Sequence, residues 1–455
     1  MYIKKDYLKR LNMIKKLVQQ LNNKHFLSLA GNGAMSVLAM ITVAVLYRAL
    51  TIEEIGYWVF FQTVAILLDT FRTGFLQVAL VKFYTGTQNN RAREVVGSVW
   101  FLAIAITAVM GCINLLFVPL RSYFDNPAIL VIIQWFGWSF LASLPSSIAS
   151  WILQADQRFD KLLILRIISQ GSFIISVVLL ILTNQMQLQN VFIVNIASAS
   201  LASLIAIFAG WSGIKSIKAK SNDCVKEIYH FGKYSVGTTI SANMLRSADT
   251  FIVAYMLGPA AVAIYNLPGR LMEIIEIPLR STLATAMSSL AKAFNVGNKR
   301  EVAYILQKYA GTLTMAFIPV AIGAILFADI ATGLLGGGKY VDSEAANLLR
   351  IMMVMAVFYP IDRFIAVSLD IIHQPKANFI KVLLMLLVNV IGDFVGIYLT
   401  GNLYGAALAT SLPLLVGIFY GYYRFNKFIP FKLSNIFVTG YINIRKILRK
   451  YLVKK

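Results

Sequence analysis

Charged side chains lie within two long apolar segments near the middle of the chain, where a membrane-spanning helix normally carries none. The first segment, residues 234–257, contains Arg246 and Asp249. In the second, residues 264–291, four charged residues fall within an arc of about 120° on a helix. They are Arg270, Glu273, Glu276 and Arg280. A charge at the bilayer centre costs about 2.5 to 3.5 kcal/mol, so such a face must look into protein or water. The pattern predicts a transport protein whose two halves enclose an ionic cavity.

The composition is that of a membrane protein. Of 455 residues, 58% are hydrophobic and 14% are charged, whereas about 25% are charged in a typical soluble domain. Lysine and arginine outnumber aspartate and glutamate by 42 to 20, which gives a net charge of +22. Basic residues of membrane proteins collect in cytoplasmic loops and contact anionic lipid headgroups. We therefore expect anionic membrane lipid, and not nucleic acid, as a partner.

Twelve apolar segments have about the 20 residues needed to cross the hydrocarbon core of a bilayer. They are residues 26–50, 57–81, 95–120, 129–153, 162–182, 191–213, 234–257, 264–291, 304–328, 346–370, 378–400 and 404–425. The pattern predicts an all-α membrane protein with 12 transmembrane helices.

The loop charges test this count, because lysine and arginine concentrate on the cytoplasmic side of a membrane. The two ends of the chain and every second loop hold 29 basic residues, whereas the alternate loops hold two, Arg121 and Lys339. One span more or fewer would mix the two sets downstream. We therefore predict that both termini are cytoplasmic.

The spans divide into two sets of six. Residues 26–213 form a predicted N-terminal six-helix lobe, 234–425 a C-terminal six-helix lobe, and 214–233 a basic cytoplasmic linker. The halves repeat at an offset of 207 residues, which aligns Arg93-Glu94-Val95 with Arg300-Glu301-Val302. An even number of spans gives both lobes the same orientation, so we expect a pseudo-twofold axis along the membrane normal.

Both ends of the chain are basic and amphipathic. Residues 1–25 place apolar side chains at helical spacing opposite lysines, and the tail 426–455 repeats the theme from Ile444 onward. A basic amphipathic helix lies at the membrane surface with its apolar face in the lipid. We expect both ends to be cytoplasmic surface segments, with a calmodulin-type target as the alternative for the tail.

Metal and redox chemistry have no support in the sequence. Cys112 lies in an apolar span and Cys224 in a basic loop, so we expect no disulfide between them. His25, His230 and His373 are scattered, and none has a second histidine or a carboxylate at ligand spacing. We expect no metal site and no cofactor.

Three short stretches carry a family resemblance. Residues 50–57, Leu-Thr-Ile-Glu-Glu-Ile-Gly-Tyr, resemble an L-x-x-E-E-[YF]-G turn between the first two helices. Asp249, followed by Leu257-Gly258 and Tyr265, is similar to a D…LG…Y pattern, and residues 338–340 resemble an outer loop before the tenth helix. In these motifs, and over nearly its whole length, the chain resembles the oligosaccharide-lipid flippase (polysaccharide biosynthesis protein) family of the multidrug/oligosaccharidyl-lipid/polysaccharide exporter superfamily.

The resemblance implies a twelve-helix, two-lobed exporter of the bacterial cytoplasmic (inner) membrane that works by alternating access. Such an exporter moves a polyprenyl-pyrophosphate-linked glycan repeat unit to the outer leaflet for capsule, O-antigen or related polymers, beside other polysaccharide assembly proteins. The sequence departs from the family pattern at Ala263 and Asn266, and residues 286–288 lack a common proline. These departures leave the identity of the glycan open.

A pyrophosphate substrate needs cationic groups inside the membrane, and arginine binds phosphate through planar, bidentate donors. The candidates for the headgroup are the arginines deep in the spans: Arg72, Arg246, Arg270, Arg280 and Arg363. The alternative is that they neutralise nearby acids, in the pairs Arg246 with Asp249, Arg270 with Glu273, Arg280 with Glu276 and Arg72 with Asp69.

The acids in the spans are candidates for a coupling proton or sodium ion, since a poorly hydrated carboxylate can load and unload a proton as access alternates. Asp249, Glu273 and Glu276 are the first choices, and Asp69 belongs to the same set as an ion-binding or ion-pair residue. Asp393 is a lone acid in the eleventh span. It could serve instead, or form a hydrogen bond to a neighbouring helix.

Two other functions compete with glycan export. A cation-coupled multidrug antiporter has the same fold but needs a pocket for cationic drugs, which interior arginines would repel. A membrane glycan polymerase or ligase needs a large outer loop with catalytic residues, whereas no predicted outer loop exceeds 17 residues. We therefore predict a transporter that is not an enzyme.

Overall fold

The computed structural model describes residues 24–124 and 126–452, and these residues are almost entirely helical. Short 3-10 turns lie at Pro119–Tyr123, Ile214–Ala219 and Gly338–Tyr340. The α-helices are α1 Lys24–Ala49, α2 Ile52–Tyr84, α3 Asn89–Phe117, α4 Pro127–Ala142, α5 Leu144–Ala155, α6 Phe159–Leu182, α7 Leu188–Phe208, α8 Asn222–Leu257, α9 Pro259–Asn295, α10 Lys299–Leu326, α11 Ala328–Gly336, α12 Ala345–Ala356, α13 Tyr359–Ile371, α14 Pro375–Thr400, α15 Leu403–Ala409, α16 Ser411–Asn426 and α17 Ser434–Leu452.

Every predicted span falls largely within one helix or two consecutive helices. Among the residues that the structure describes, seven helical segments are long and apolar enough to cross a membrane, and the bent pairs α4–α5 and α12–α13 raise the number to nine. Helices α1, α8 and α9 fall outside this criterion; α8 and α9 carry charged side chains within their apolar segments. The all-helical, multi-pass architecture is confirmed, and twelve crossings stay a prediction.

The chain folds as two compact units. Unit 1 comprises the described residues up to Leu50 together with Val64–Ile240. Unit 2 comprises Thr51–Thr63 and the chain from Ser241 onward. Much of the predicted linker 214–233 is helical, because α8 already begins at Asn222. The predicted N-terminal surface segment, residues 1–25, lies outside the described residues except for the first two residues of α1.

The core of unit 1 forms where α2, α3 and α5 meet. Leu76 and Leu80 of α2 pack with Val99 of α3 and Ile148 of α5, and all four side chains are buried. The indole of Trp100 donates a hydrogen bond to a backbone carbonyl at 2.8 Å. Because lipid is as apolar as this core, close packing and hydrogen bonds hold such helices together.

The span formed by α4 and α5 is bent by 45°. Pro145, in the first turn of α5, has no N–H, so carbonyl groups at the end of α4 lose helical partners. Side chains replace them: Arg72 donates to the Phe140 carbonyl at 3.0 Å, and Ser203 donates to the Ala142 carbonyl at 2.5 Å. Such replacement partners are what allows a helix to break inside a membrane.

The two halves of the chain share features that support the predicted internal repeat. The fourth predicted span of the second half, α12–α13, is also a bent pair, with an angle of 47° and Pro360 in the first turn after the break. Helices α2 and α9 begin at Ile52 and Pro259, which are 207 residues apart. That separation is the offset at which the sequence repeats.

The first family motif, residues 50–57, starts a helix and packs it. Thr51 and Glu54 form a capping box, in which the Thr51 N–H donates to Glu54 Oε2 at 2.9 Å and the Glu54 N–H donates back to Thr51 Oγ1 at 3.2 Å. A Cβ added at Gly56 would lie 1.8 Å from the carbonyl oxygen of Pro259. Only glycine allows α2 to approach α9 so closely, so this motif encodes packing.

The sequence predicts an amphipathic helix from Ile444 onward. In the structure this C-terminal helix, α17, begins ten residues earlier, at Ser434. Its first half packs against α10 through two glycines, since a Cβ at Gly440 would lie 2.3 Å from the carbonyl oxygen of Gly311. The predicted surface tail therefore starts with a protein contact. Residues 453–455 lie outside the described residues.

Candidate functional site

Two of the predicted acids meet inside unit 2. Asp249 comes from the C-terminal third of α8 and Asp393 from α14, and their carboxyl groups lie within hydrogen-bond range of each other. Asp393 is fully buried. Asp249 Oδ1 and Asp393 Oδ1 are both buried, and neither accepts a hydrogen bond from a described residue. Asp393 is therefore not a lone acid: its neighbour is another predicted ion-binding residue, 144 positions earlier in the chain.

Neutral polar side chains surround this acidic pair. Tyr265 of α9 donates its hydroxyl hydrogen to Asp249 Oδ2 at 2.8 Å, and its oxygen lies 2.9 Å from Thr410 Oγ1. Asn389, one turn before Asp393 on α14, donates from Nδ2 to Asp393 Oδ2 at 3.1 Å. The Oδ2 atoms are thus held by donors from the protein, which leaves the two Oδ1 atoms for a ligand.

The acidic pair has the chemistry of a cation site. Two carboxylates at close range in a poorly hydrated interior repel each other, and a proton on one of them or a cation between them removes the repulsion. No lysine or arginine among the described residues forms an ion pair with either acid. Carboxylate, hydroxyl and amide oxygens are hard ligands. Within the described ranges, no group of three or more His, Cys, Asp or Glu residues could hold a metal ion. Two carboxylates with neutral oxygen donors beside them have the chemistry to take up a proton or a sodium ion.

Two of the predicted arginines have no acidic partner in the described part of the chain. Arg246 and Arg363 are exposed on unit 2, and neither forms an ion pair with any residue that the structure describes. Arg246 lies one turn before Asp249 on α8, but Asp249 accepts from Tyr265 instead. The alternative pairing of Arg246 with Asp249 is therefore not formed, and both guanidinium groups keep their donors for a ligand.

The other two arginines of unit 2 are paired along α9. Arg270 donates from Nη1 to Glu273 Oε1 at 3.0 Å, and Arg280 pairs with Glu276. These are the i,i+3 and i,i+4 pairs that the sequence offered as alternatives. All four side chains retain partial or full exposure, so the ionic face of α9 is a surface feature of unit 2.

Tyr359, which the sequence analysis did not single out, lies among these charges. Its electrostatic neighbours are Arg363, Asp249, Glu276 and Asp362. The Tyr359 side chain is therefore within electrostatic range of Arg363, one acid of the acidic pair and one acid of the ionic face of α9. These groups belong to one region of unit 2, which we call the polar region.

The remaining predicted pair, Asp69 with Arg72, lies in unit 1. Arg72 Nη2 is 2.6 Å from Asp69 Oδ1, and the Arg72 side chain is only 1% exposed. Its guanidinium also lies 4.0 Å from the centre of the Phe140 ring and donates to the Ser143 hydroxyl. We propose that Arg72 stabilises the bend between α4 and α5, because a substrate headgroup cannot reach it in this conformation.

The sequence analysis did not predict a buried ion pair in unit 2, formed by Lys381 and Asp362. The position of Lys381 near a span end predicts that its ammonium group reaches water. Instead, Lys381 Nζ lies 2.5 Å from Asp362 Oδ1, and the two side chains are 2% and 5% exposed. Gly417 of α16 makes room for the pair, since a Cβ there would lie 2.7 Å from Asp362 Oδ1. The available signal was spacing: Lys381, Asn389 and Asp393 recur at multiples of four on apolar α14 and share one face.

Removing one partner of this pair is expected to destabilise the protein strongly. Lys381→Met leaves Asp362 as an uncompensated buried charge, which costs about 3 to 5 kcal/mol. The double variant Lys381→Met/Asp362→Leu removes both charges and is expected to recover most of the loss. Thermal unfolding of the full chain in one detergent measures both, with Lys376→Met, exposed on the same helix, as the control. Unfolding of Lys381→Met at the wild-type temperature would mean that the pair is absent from the folded protein.

The fold and the polar region define a polytopic helical membrane protein that holds buried acids and unpaired arginines within apolar helices. A family model for "polysaccharide biosynthesis protein" matches residues 45–345. The chain belongs to this family, and the family assignment made from the three motifs is confirmed.

The chain is also similar to a curated protein, the probable low-salt glycan biosynthesis flippase Agl15 of Haloferax volcanii. The two are 23% identical over 238 residues, which make up 51% of this chain and 49% of that protein. The match therefore spans about half the length of the relative.

Two solved structures share the fold. An inward-facing multidrug resistance MATE family transporter of the MOP superfamily aligns with a TM-score of 0.74 and 15% identity over 86% of this chain and 95% of that chain. The lipid II flippase MurJ, in an inward closed conformation, aligns with a TM-score of 0.72 and 17% identity over 94% of this chain and 93% of that chain. At these identities the likeness concerns the fold alone.

Proposed function

We propose that the chain is a flippase that moves a polyprenyl-pyrophosphate-linked oligosaccharide repeat unit from the cytoplasmic to the outer leaflet for surface polysaccharide biosynthesis. Its family and the flippase named in Haloferax volcanii support a lipid-linked glycan as the substrate class. The observation that carries the proposal is that Arg246 and Arg363, exposed on apolar helices of unit 2, form no ion pair with a described residue. Planar guanidinium groups with free donors suit a diphosphate.

In this proposal the acidic pair couples transport to a cation. With Asp249 and Asp393 both charged, the field near α8 draws the Arg246 guanidinium toward Asp249, one turn away. A proton or sodium ion at the pair cancels that attraction and releases Arg246 for the pyrophosphate. Loading and unloading the pair on opposite sides of the membrane would then link the cation gradient to alternating access.

We further propose the predicted topology: twelve spans, lobes at 26–213 and 234–425 related by a pseudo-twofold axis, a cytoplasmic linker at 214–233, and cytoplasmic segments at 1–25 and 426–455. The strong bias of loop charges supports it. So does the geometry of unit 1, in which three loops assigned to the cytoplasm line one cavity. The protein would then lie in the cytoplasmic membrane, with other polysaccharide assembly proteins as partners. It would act as a transporter without catalytic residues.

A cation-coupled multidrug antiporter is the second candidate, favoured by the likeness in fold to the MATE family transporter. The unpaired Arg246 and Arg363 argue against it, because they would repel cationic drugs. The two functions make opposite predictions in cells.

Complementation separates them. The wild-type chain is expressed in strains that lack a flippase for capsule or O-antigen, and surface glycan and resistance to cationic drugs are measured together at matched membrane levels. The flippase proposal expects surface glycan to return without drug resistance, and the Arg270→Ala/Glu273→Ala variant tests whether the ionic face of α9 contributes. Drug resistance with no return of glycan in any strain would favour the antiporter.

A further inference from the structure

A polar cavity of about 480 Å³ lies wholly within unit 1, and the proposed transport mechanism does not use it. It forms where α2, α5 and α7 end and α3 and α6 begin. Its charged and aromatic lining consists of Tyr84, Arg93, Asp156, Arg158, Lys161 and Trp211. We call it the unit 1 cavity.

The unit 1 cavity carries an excess of positive charge. Arg93, Arg158 and Lys161 form no ion pair with an acid in the described part of the chain. Asp156 is the single acid among the lining residues, and the Tyr84 hydroxyl is one of its electrostatic neighbours. Three cations and one carboxylate therefore line this space, which leaves a net positive charge of two.

Two glycines with left-handed backbone geometry shape one wall of the cavity. Gly210 and Gly213, on either side of Trp211, have φ angles of 70° and 58°, in the left-handed region that favours glycine. A Cβ at Gly213 would lie 3.0 Å from a methyl group of Val96. Lys161 Nζ lies 5.5 Å from the centre of the Trp211 ring, which holds this cation at the cavity wall.

We propose that the unit 1 cavity binds the phosphate group of an anionic ligand. Small-molecule sites are typically about 300 to 1,000 Å³, so a phosphate with an adjoining glycerol or sugar fits. Arg93 and Arg158 supply bidentate donors, and Lys161 supplies a point charge. The phosphate belongs either to an anionic membrane lipid or to a soluble phosphate compound.

The position of the unit 1 cavity along the chain suits either source. Its residues come from loops 82–94, 154–161 and 214–233 and their flanking helix ends, which the charge bias assigns to the cytoplasmic side. Anionic lipid headgroups and soluble phosphates both occur there. The lipid source rests on the proposed topology, whereas phosphate binding itself is independent of the proposed flippase function.

The test uses the purified full chain in neutral detergent at about 0.15 M salt, where screening suppresses weak surface attraction. Calorimetric titration measures binding of dioctanoyl phosphatidic acid, inorganic pyrophosphate and, as a neutral control, dioctanoyl phosphatidylcholine. The cavity variant is Arg93→Gln/Arg158→Gln/Lys161→Gln. The matched variant, Lys299→Gln/Arg300→Gln/Lys376→Gln, removes the same charge from exposed positions of unit 2 and includes Arg300, the repeat equivalent of Arg93.

We expect saturable binding of phosphatidic acid, a rise in Kd of about tenfold or more in the cavity variant, and a change below about twofold in the matched variant. Arg158→Gln alone changes one residue at an exposed turn and is expected to raise the Kd for phosphatidic acid about fivefold. It replaces the triple cavity variant in the test if that variant fails to fold. Competition by pyrophosphate would identify a soluble phosphate as a source, and binding of phosphatidic acid alone would identify a lipid headgroup. No saturable binding of either probe, or an equal loss in both triple variants, would overturn the proposal.

Discussion

Replacing Asp249 or Asp393 with asparagine is expected to abolish glycan export. Each substitution preserves the size of the side chain but removes one of the two negative charges at the acidic pair. An interaction with a charged acceptor contributes about 1.5 to 3 kcal/mol, so cation affinity should fall roughly 10- to 150-fold. Each acid supplies one of the two oxygens without a donor, Asp249 Oδ1 and Asp393 Oδ1. The site needs both negative charges, so neither acid can substitute for the other.

The measurement is surface glycan in a complemented strain, normalised to the amount of protein in the membrane. Asp370→Asn is the matched control, because Asp370 is an exposed acid of unit 2 that accepts hydrogen bonds from Asn378 only, among the described residues. It is expected to export glycan at the wild-type level. Export by Asp249→Asn at the level of Asp370→Asn would remove the acidic pair from the mechanism.

The identity of the coupling cation can be read from the same variants. If the pair binds sodium, the purified wild type should unfold at a higher temperature in sodium chloride than in potassium chloride, since a ligand that binds only the folded state stabilises it. Asp393→Asn should lose this difference. If the pair binds a proton, sodium has no such effect, and a pH gradient alone should drive transport.

Replacing Arg246 or Arg363 with glutamine is expected to lower export about tenfold or more, whereas Arg280→Gln should retain most of it. The reason is pairing: Arg280 is held by Glu276 on its own helix, while Arg246 and Arg363 have no described acidic partner. A charge-assisted hydrogen bond to phosphate contributes about 1.5 to 3 kcal/mol, which sets the size of the loss.

A lysine substitution at Arg246 tests whether the planar guanidinium group, and not only its charge, is needed for export. Arg246→Lys keeps the charge but loses the planar fork that binds phosphate through two donors, so it should restore export only in part. Complementation with all four variants at matched expression is the measurement. Loss of export in Arg280→Gln, with normal export in Arg246→Gln and Arg363→Gln, would reverse the assignment and make the α9 ion pairs the functional groups.

Helix positions could be predicted because the length and apolarity of a membrane span are local properties. The charges of the loops are local properties as well, and they predict which side of the membrane each loop faces. The bend between α4 and α5 was less accessible: Pro145 is visible in the sequence, but the partners that compensate for it, Arg72 and Ser203, come from distant helices. Arg72 therefore looked like a ligand-binding residue, although its side chain is buried.

The polar region shows the same limit. The i,i+3 pair of Arg270 with Glu273 follows from helix geometry and is present. The meeting of Asp249 with Asp393 depends on how α8 and α14 pack, which no local pattern reports. Lys381 differs, since Lys381, Asn389 and Asp393 lie at separations of a multiple of four, which marks the buried face of α14 in the sequence.

The central claim is that this protein moves a lipid-linked glycan across a membrane, and translocation in vesicles tests it most directly. The purified full chain is reconstituted into liposomes that contain a polyprenyl-pyrophosphate-linked oligosaccharide, and a membrane-impermeant reagent measures how much glycan becomes accessible over time. We predict that wild-type protein with a cation gradient raises accessibility well above protein-free vesicles, and that Asp249→Asn and Arg246→Gln do not. Accessibility equal to that of protein-free vesicles, together with cation-driven uptake of a cationic drug by the same preparation, would contradict the account.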